Sequence, residues 1–170
     1  MAVGARVSGG DVALLAFLVL VVGRGDVVTL PRFVWPVLVP GRGRGGSRIT
    51  QEFRPPSHMG VDIAIPRPGG GYESGALVVA VASGRVARAA RGPRGWWVLI
   101  DHGDWASGYL HMVTVDVATG DPVIAGQRLG VMGADPLDGE HIVHLHFQVA
   151  PFGHAEDPGP YLRSAEDAHG

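Results

Sequence analysis

The sequence predicts an all-β fold, and three observations support this. From Arg48 onward, short runs rich in Val, Ile and aromatic residues alternate with Gly, Pro and Asp, as strands joined by turns do. No apolar segment of useful length in that part of the chain has a helical period. The chain also contains 27 Gly and 13 Pro among its 170 residues, so turns should be frequent.

The candidate strands follow from these runs, and the last of them is the most regular. They cover residues 61–65, 77–81, 84–90, 96–101, 108–112, 128–131 and 143–150. In the last, apolar residues alternate with His144, His146 and Gln148. Successive side chains of a strand point to opposite faces, so the two histidines should share one face. A helix here would scatter the apolar residues around its axis, and we reject it.

Composition restricts the classes of function. The formal net charge of −2 gives no basic excess, so nucleic acid is not expected as a partner. Hydrophobic residues make up 46% of the chain, which is enough for one folded domain. Because the chain has no cysteine, disulfides, Cys-ligated zinc and thiol nucleophiles are excluded. Any bound metal must use histidine and carboxylate ligands.

Composition along the chain predicts four segments. Residues 1–26 contain an unbroken apolar run at 12–22, which has the length of a signal-peptide core and is too short to span a bilayer. We expect export or membrane anchoring through this run; a buried strand or helix is the alternative. Residues 27–46 are a Pro- and Gly-rich connector, residues 47–155 the folded domain, and residues 156–170 a polar tail.

His58 and Asp62 lie four residues apart, on either side of Gly60. On a straight strand they would be about 13 Å apart, too far to share an ion whose bonds are about 2 Å long. We therefore expect the chain to bend between them, and glycine permits such a bend. Asp62 should lie opposite the apolar face of its strand, where a buried carboxylate is costly unless it is paired or bound to a metal.

Two histidines and one carboxylate are a sufficient ligand set for a catalytic zinc ion, with a fourth position left for water. Such a cation makes bound water more acidic and polarises a carbonyl group. Other histidines must then supply the base and the oxyanion donor, because no HExxH glutamate is present. His111 is a candidate donor, on a predicted strand face that it shares with Tyr109.

Several motifs follow one another along the predicted domain. His-Met-Gly-Val-Asp lies at 58–62 and His-Leu-His-Phe-Gln-Val at 144–149, with further motif segments between them at 82–86, 97–103, 108–112 and 126–133. In identity and in order, these motifs resemble those of the lysostaphin-type (LytM-like) zinc metallopeptidases, which cut peptide cross-links in peptidoglycan. The resemblance extends over about residues 47 to 152, which is nearly the whole predicted domain.

The resemblance implies a fold, a cofactor and a set of roles. The family fold is a largely antiparallel β-sandwich with an open groove, of the duplicated hybrid motif type. His58, Asp62 and His146 would bind one zinc ion per chain. His144 would help to deprotonate the attacking water, and His111 would help to stabilise the tetrahedral state. The expected protein is a monomeric zinc endopeptidase that acts on peptidoglycan peptides and is secreted or located in the cell envelope.

The chain departs from the family pattern in two places, and alternatives remain. Gln148 stands where glutamate is common, and residues 139–143 replace the usual lead into the histidine strand. His102 is interpreted as structural, and His141 as solvent-exposed. The main alternative is a non-catalytic peptidoglycan-binding or amidase-activating module of the same fold. A third alternative is a phosphoryl-carrying sugar-transport domain. The ligand spacing of Asp62 and the expected export of the chain argue against it.

Overall fold

The computed structural model describes residues 31, 33–137, 142–151 and 153–166. The predicted apolar N-terminal segment and His141 lie outside these residues. Within the described ranges, no helix has the length and apolar character needed to cross a membrane.

The described residues form ten strands and one helix. The strands are β1 (Val37–Leu38), β2 (Arg48–Gln51), β3 (Val61–Ala64), β4 (Leu77–Val79), β5 (Gly84–Gly92), β6 (Gly95–Asp101), β7 (Trp105–Val115), β8 (Pro122–Val123), β9 (Arg128–Met132) and β10 (Leu145–Pro151). Helix α1 (Gly159–Glu166) follows. The predicted all-β, largely antiparallel fold is confirmed. The pattern missed β1, β2 and β8, which have two, four and two residues.

The strands belong to one curled antiparallel sheet with β7 and β10 near its centre. Its main path runs β1-β4-β9-β7-β10-β3-β2, and β6 also pairs with β7 and continues through β5 to β8. One face of β3, β7 and β10 carries core residues, including Ile63, Tyr109 and Phe147, which are each 0% exposed. The opposite face of β3 and β10 is therefore the one on which the polar side chains of these strands meet.

The core also includes residues on both sides of the predicted domain. Phe33, from the predicted connector, is buried and stacks on Trp105 with ring centroids 5.1 Å apart. The same ring lies 5.4 Å from Tyr161 of α1, and Leu162 on that helix is fully buried. A helix forms in the predicted polar tail, and its Leu162 belongs to the buried core. The packed core thus extends beyond residues 47–155.

Candidate metal centre

The pairing of β3 with β10 places His146 directly opposite Asp62. Residues directly opposite one another in a sheet point to the same face. The next pair along, Phe147 and Val61, points to the core, and both side chains are fully buried. Asp62 and His146 consequently emerge together on the other face.

His58 reaches this face through a tight turn that precedes β3. The backbones of Arg54 and His58 exchange two hydrogen bonds of 2.8 Å. The Nδ1–H of His58 donates to the carbonyl oxygen of Glu52 at 2.8 Å. Because a carbonyl group can only accept, the His58 proton is held on Nδ1, and the lone pair of Nε2 faces Asp62 at 3.0 Å.

Gly60 allows this turn to approach β10. A Cβ atom at this position would lie 2.4 Å from the carbonyl oxygen of Phe147 and 2.9 Å from Nε2 of His146. Any side chain would therefore push the turn away from the strand that carries His146. The structure gives close contact with β10 as the reason for glycine at this position, and Gly60 does not have a positive φ.

Three ligand atoms converge at this point. His58 Nε2 and His146 Nδ1 lie 3.0 and 2.8 Å from Asp62 Oδ1, and 3.0 Å from each other. Two imidazole nitrogens and a carboxylate oxygen are donors that zinc accepts in proteins. The chemistry and spacing of this donor set fit a single metal ion.

Asp62 carries the negative charge of the cluster. Burial by itself would raise the pKa of its carboxyl group. The hydrogen bond from His146 and electrostatic interactions with His146, His144 and His58 outweigh burial, and they hold the pKa below its ordinary value. Asp62 is therefore an ionised candidate ligand beside three imidazoles.

His144 lies beside the three ligand groups on the same face of β10. Its Nδ1–H donates to the carbonyl oxygen of Ile142 at 2.8 Å. The proton of the neutral ring is consequently on Nδ1, and the lone pair of Nε2 is available. That nitrogen lies 3.8 Å from Asp62 Oδ2, so His144 places a hydrogen-bond acceptor next to the candidate ligands.

His111 also faces the cluster, and the prediction that it shares a strand face with Tyr109 is wrong. Tyr109 lies in the core with its ring 5.3 Å from Phe147. The ring of His111 instead lies 4.8 Å from His144 and 5.9 Å from His146. The backbone of His111 has φ = 63°, a left-handed conformation that interrupts the alternation of β7. The side chain therefore turns to the opposite face.

Arg94 and Asp135 surround His111, and the sequence did not point to either. His111 Nδ1–H donates to the Arg94 carbonyl oxygen at 3.1 Å, and Nε2 lies 4.0 Å from Asp135 Oδ2. Burial lowers the pKa of His111 to about 4, so the ring is neutral near pH 7. The guanidinium group of Arg94 pairs with Asp135. Arg94 and Asp135 lie 41 residues apart in the sequence, so their pairing depends on a tertiary contact.

Gly133 connects the two non-ligand histidines through its backbone. Its N–H donates to the carbonyl oxygen of His111 at 2.8 Å, and its carbonyl oxygen accepts from His144 N–H at 3.0 Å. A Cβ atom at Gly133 would lie 2.8 Å from that His111 oxygen and 3.0 Å from Val113 N. The spacing of His111 and His144 thus depends on glycine at this position.

His102 has no contact with this cluster. Its ring stacks on Trp105 with centroids 3.8 Å apart. Its two nitrogens bond to the Ser83 carbonyl oxygen and to Ser107 Oγ, each at 2.8 Å. These contacts agree with the structural role expected from the sequence.

Residues 56–158 match the model of peptidase family M23. The chain belongs to peptidase family M23. The resemblance to lysostaphin-type metallopeptidases that the motifs indicated is thereby confirmed. The matched residues of this M23 chain include His58, Asp62, His102, His111, His144 and His146.

Two solved peptidases share the fold of this M23 chain. A zinc containing peptidase from Vibrio cholerae is 27% identical, covers 78% of this chain and 40% of its own, and aligns with a TM-score of 0.60. The antimicrobial peptidase lysostaphin from Staphylococcus simulans is 30% identical, covers 64% and 44%, and aligns with a TM-score of 0.53.

Curated relatives include a protein that is named as an activator of hydrolases and not as a peptidase. The murein hydrolase activator NlpD of Salmonella dublin is 34% identical over 108 residues, which are 62% of this chain and 26% of that protein. The relatives matched over 108 residues are much longer, and this chain spans 24% to 39% of the first three. The names of these relatives refer to murein, lipoproteins and the outer membrane, in agreement with the predicted secreted or cell-envelope location.

Replacing Gly133 with alanine should destabilise the protein. The new methyl group would contact backbone atoms at 2.8 and 3.0 Å, which cannot move independently of β7. We expect a loss of about 1–3 kcal/mol in the free energy of unfolding, as for other overpacked sites. Gly92→Ala is the control, because its nearest neighbour would be 3.8 Å away, in ordinary contact. Urea denaturation measures both variants, and equal stabilities would contradict the prediction.

Acidification should destabilise the metal-free protein through His111. The pKa of this residue is about 4 in the folded state, against 6.5 ordinarily. Between these values the unfolded chain binds a proton that the folded chain does not, so the free energy of unfolding falls as the pH drops. Urea denaturation at several pH values, in the presence of a chelator, should show this slope. His111→Gln should reduce it, and an undiminished slope in that variant would exclude His111 as the source.

Proposed function

We propose that this M23 chain is a zinc-dependent endopeptidase that hydrolyses peptide cross-links of bacterial peptidoglycan. The observation that carries the proposal is the convergence of His58, Asp62 and His146, with the two further histidines beside them. A catalytic zinc site uses three protein ligands and keeps its fourth position open. The chain has the three ligands and the two accessory histidines that such a reaction requires.

His58 through Nε2, Asp62 through Oδ1 and His146 through Nδ1 would hold one zinc ion per chain. When bound, zinc would supply a Lewis acid that polarises the scissile carbonyl group and makes the attacking water more acidic. The anionic carboxylate of Asp62 would offset part of the positive charge of the ion. His58 and His146 would contribute neutral imidazoles, as zinc ligation by histidine requires.

His144 is suited to act as the general base. Its proton is held on Nδ1 by the carbonyl group of Ile142, so Nε2 can take a proton from the attacking water. The carboxylate of Asp62, 3.8 Å from that nitrogen, would stabilise the resulting imidazolium. His144 can then return the proton from Nε2 to the leaving amine, which completes the hydrolysis of an amide.

His111 is suited to support the tetrahedral state, under one condition. Its Nδ1–H already donates to the carbonyl oxygen of Arg94, so it can donate to an oxyanion only through Nε2 and only when protonated. The Asp135 carboxylate, 4.0 Å from Nε2, is placed to stabilise that form. Because His111 is neutral near pH 7, it would take up a proton from solvent as negative charge develops on the substrate oxygen, and Asp135 would stabilise the resulting imidazolium.

The comparisons support the class of reaction and leave room for a second candidate. Solved relatives named as a zinc containing peptidase and as an antimicrobial peptidase share the fold. The NlpD relative is named as an activator of murein hydrolases, which favours a non-catalytic, amidase-activating module as the alternative. The complete set of ligands and accessory histidines in this chain favours catalysis. Anchoring through the N-terminal segment is compatible with either function.

The purified chain should bind about one zinc ion and should cut purified peptidoglycan sacculi. Metal analysis measures the first property; mass spectrometry of released peptides and detection of new amino termini measure the second. A chelator should abolish hydrolysis, and added zinc should restore it. If zinc-loaded protein produces no new amino termini, but stimulates an added cell-wall amidase, the activating function is correct and the endopeptidase is not.

Two single substitutions should separate metal binding from catalysis. His146→Ala removes a ligand and should lose both zinc and hydrolysis. His144→Ala leaves the three ligands in place, so it should keep zinc and lose about 10²–10⁴-fold in hydrolysis. His154→Ala is the matched control, since His154 is exposed and its described contact is a backbone hydrogen bond to Pro151. Full turnover in His144→Ala would show that the base is assigned to the wrong residue.

A further inference from the structure

Gln148 contacts the imidazole of His146 on the side away from the three ligand atoms. Its Nε2 atom lies 2.9 Å from His146 Nε2. The other ring nitrogen, Nδ1, points to Asp62 at 2.8 Å. Gln148 is 6% exposed and His146 9% exposed, so water has little access to the contact between them.

The hydrogen bond defines where the ring proton lies in the metal-free protein. A side-chain amide nitrogen can only donate, so His146 Nε2 is the acceptor and the proton of the neutral ring is on Nδ1. That proton is donated to the carboxylate of Asp62. Both nitrogens of His146 are thus satisfied in this state.

Metal binding requires the opposite tautomer. An imidazole that gives its Nδ1 lone pair to a cation must carry its proton on Nε2. The resulting Nε2–H points at the amide of Gln148 and needs an acceptor, because an unpaired buried donor is costly. A half-turn of the amide exchanges Nε2 and Oε1 without moving the rest of the side chain, and it places Oε1 on that proton.

We infer that Gln148 is a positioning residue whose amide rotates to satisfy both tautomers of His146. It donates to His146 in the metal-free state and accepts from it in the metal-bound state. The inference rests on the proposed function, since it assumes a cation at Nδ1. A carboxylate in the same place could only accept, so it would favour the metal-bound tautomer alone.

The packing around His146 leaves Gln148 as the polar side chain in contact with its Nε2 atom. A Cβ atom on Gly60 would lie 2.8 Å from Gln148 Cγ and 2.9 Å from His146 Nε2, so the backbone of the turn lies directly against both. Phe147 and Val149, the neighbours of Gln148 along β10, point into the core. An apolar residue at position 148 would therefore leave the Nε2–H of His146 without an acceptor among these neighbours.

A second property follows because the side chain of Gln148 carries no charge. Because the amide is neutral, it strengthens the donor character of His146 less than a carboxylate would. Gln148 should consequently give a more weakly held zinc ion than glutamate would give at this position. The two substitutions Gln148→Met and Gln148→Glu are thus expected to change zinc affinity in opposite directions.

Zinc affinity of the 170-residue chain, measured by competition with a chromophoric chelator, tests this role. Gln148→Met should bind zinc about 10- to 100-fold more weakly, the usual effect of removing such a partner. Gln148→Glu should bind zinc more tightly than the unsubstituted chain. Gln127→Met is the matched control, because Gln127 accepts from Ile124 N in a turn and has no described contact with the ligands. Its affinity should be unchanged.

A measurement on the unsubstituted chain makes the test independent of how the variants fold. Nitrogen-15 NMR of the histidine rings should show the His146 proton on Nδ1 without zinc and on Nε2 with zinc. Unchanged affinity in Gln148→Met, or a Gln148→Glu variant that binds more weakly than the unsubstituted chain, would overturn the inference. Failure of the unsubstituted chain to bind zinc would overturn both proposals. A chain that binds zinc but does not cut sacculi would overturn only the endopeptidase.

Discussion

The register between β3 and β10 is the constraint on which the candidate site depends. It places His146 opposite Asp62 and directs both away from the core, while the adjacent Phe147 and Val61 anchor the same two strands in it. A shift of one residue in either strand would exchange these faces, because strand side chains alternate. The apolar residues that fold the sheet are therefore also the residues that align the ligands.

Backbone carbonyl groups determine the proton positions of the surrounding histidines. The carbonyl oxygens of Glu52, Ile142 and Arg94 accept from the Nδ1–H of His58, His144 and His111, respectively. Each neutral ring then presents the lone pair of Nε2. His146 differs, since its Nδ1 faces the carboxylate and its Nε2 contacts a side chain. His146 thus depends on a side-chain partner, whereas the other three histidines depend on fixed carbonyl groups of the main chain.

Two carboxylates carry the negative charge of the site, Asp62 beside the candidate ligands and Asp135 beside His111. Asp62 lies among His58, His144 and His146. Despite burial, its pKa is held below the ordinary range by the hydrogen bond from His146 and by electrostatic interactions with the three rings. Asp135 lies near His111 and is paired with Arg94. This arrangement gives each accessory histidine its own carboxylate, which suits a reaction that moves protons and builds transient charge.

The sequence alone determined the fold class and the chemical identity of the candidate ligands. Alternation along residues 143–150 placed His144 and His146 on one face, and ordered motifs indicated the family that the chain belongs to. Only the tertiary structure decided the orientation of His111, because a left-handed residue within β7 leaves no trace in apolar periodicity. The tertiary structure also decided the contact between Arg94 and Asp135, because these residues are remote in sequence. It decided which carbonyl groups bind the histidines, because every residue has a carbonyl group and no sequence pattern distinguishes them.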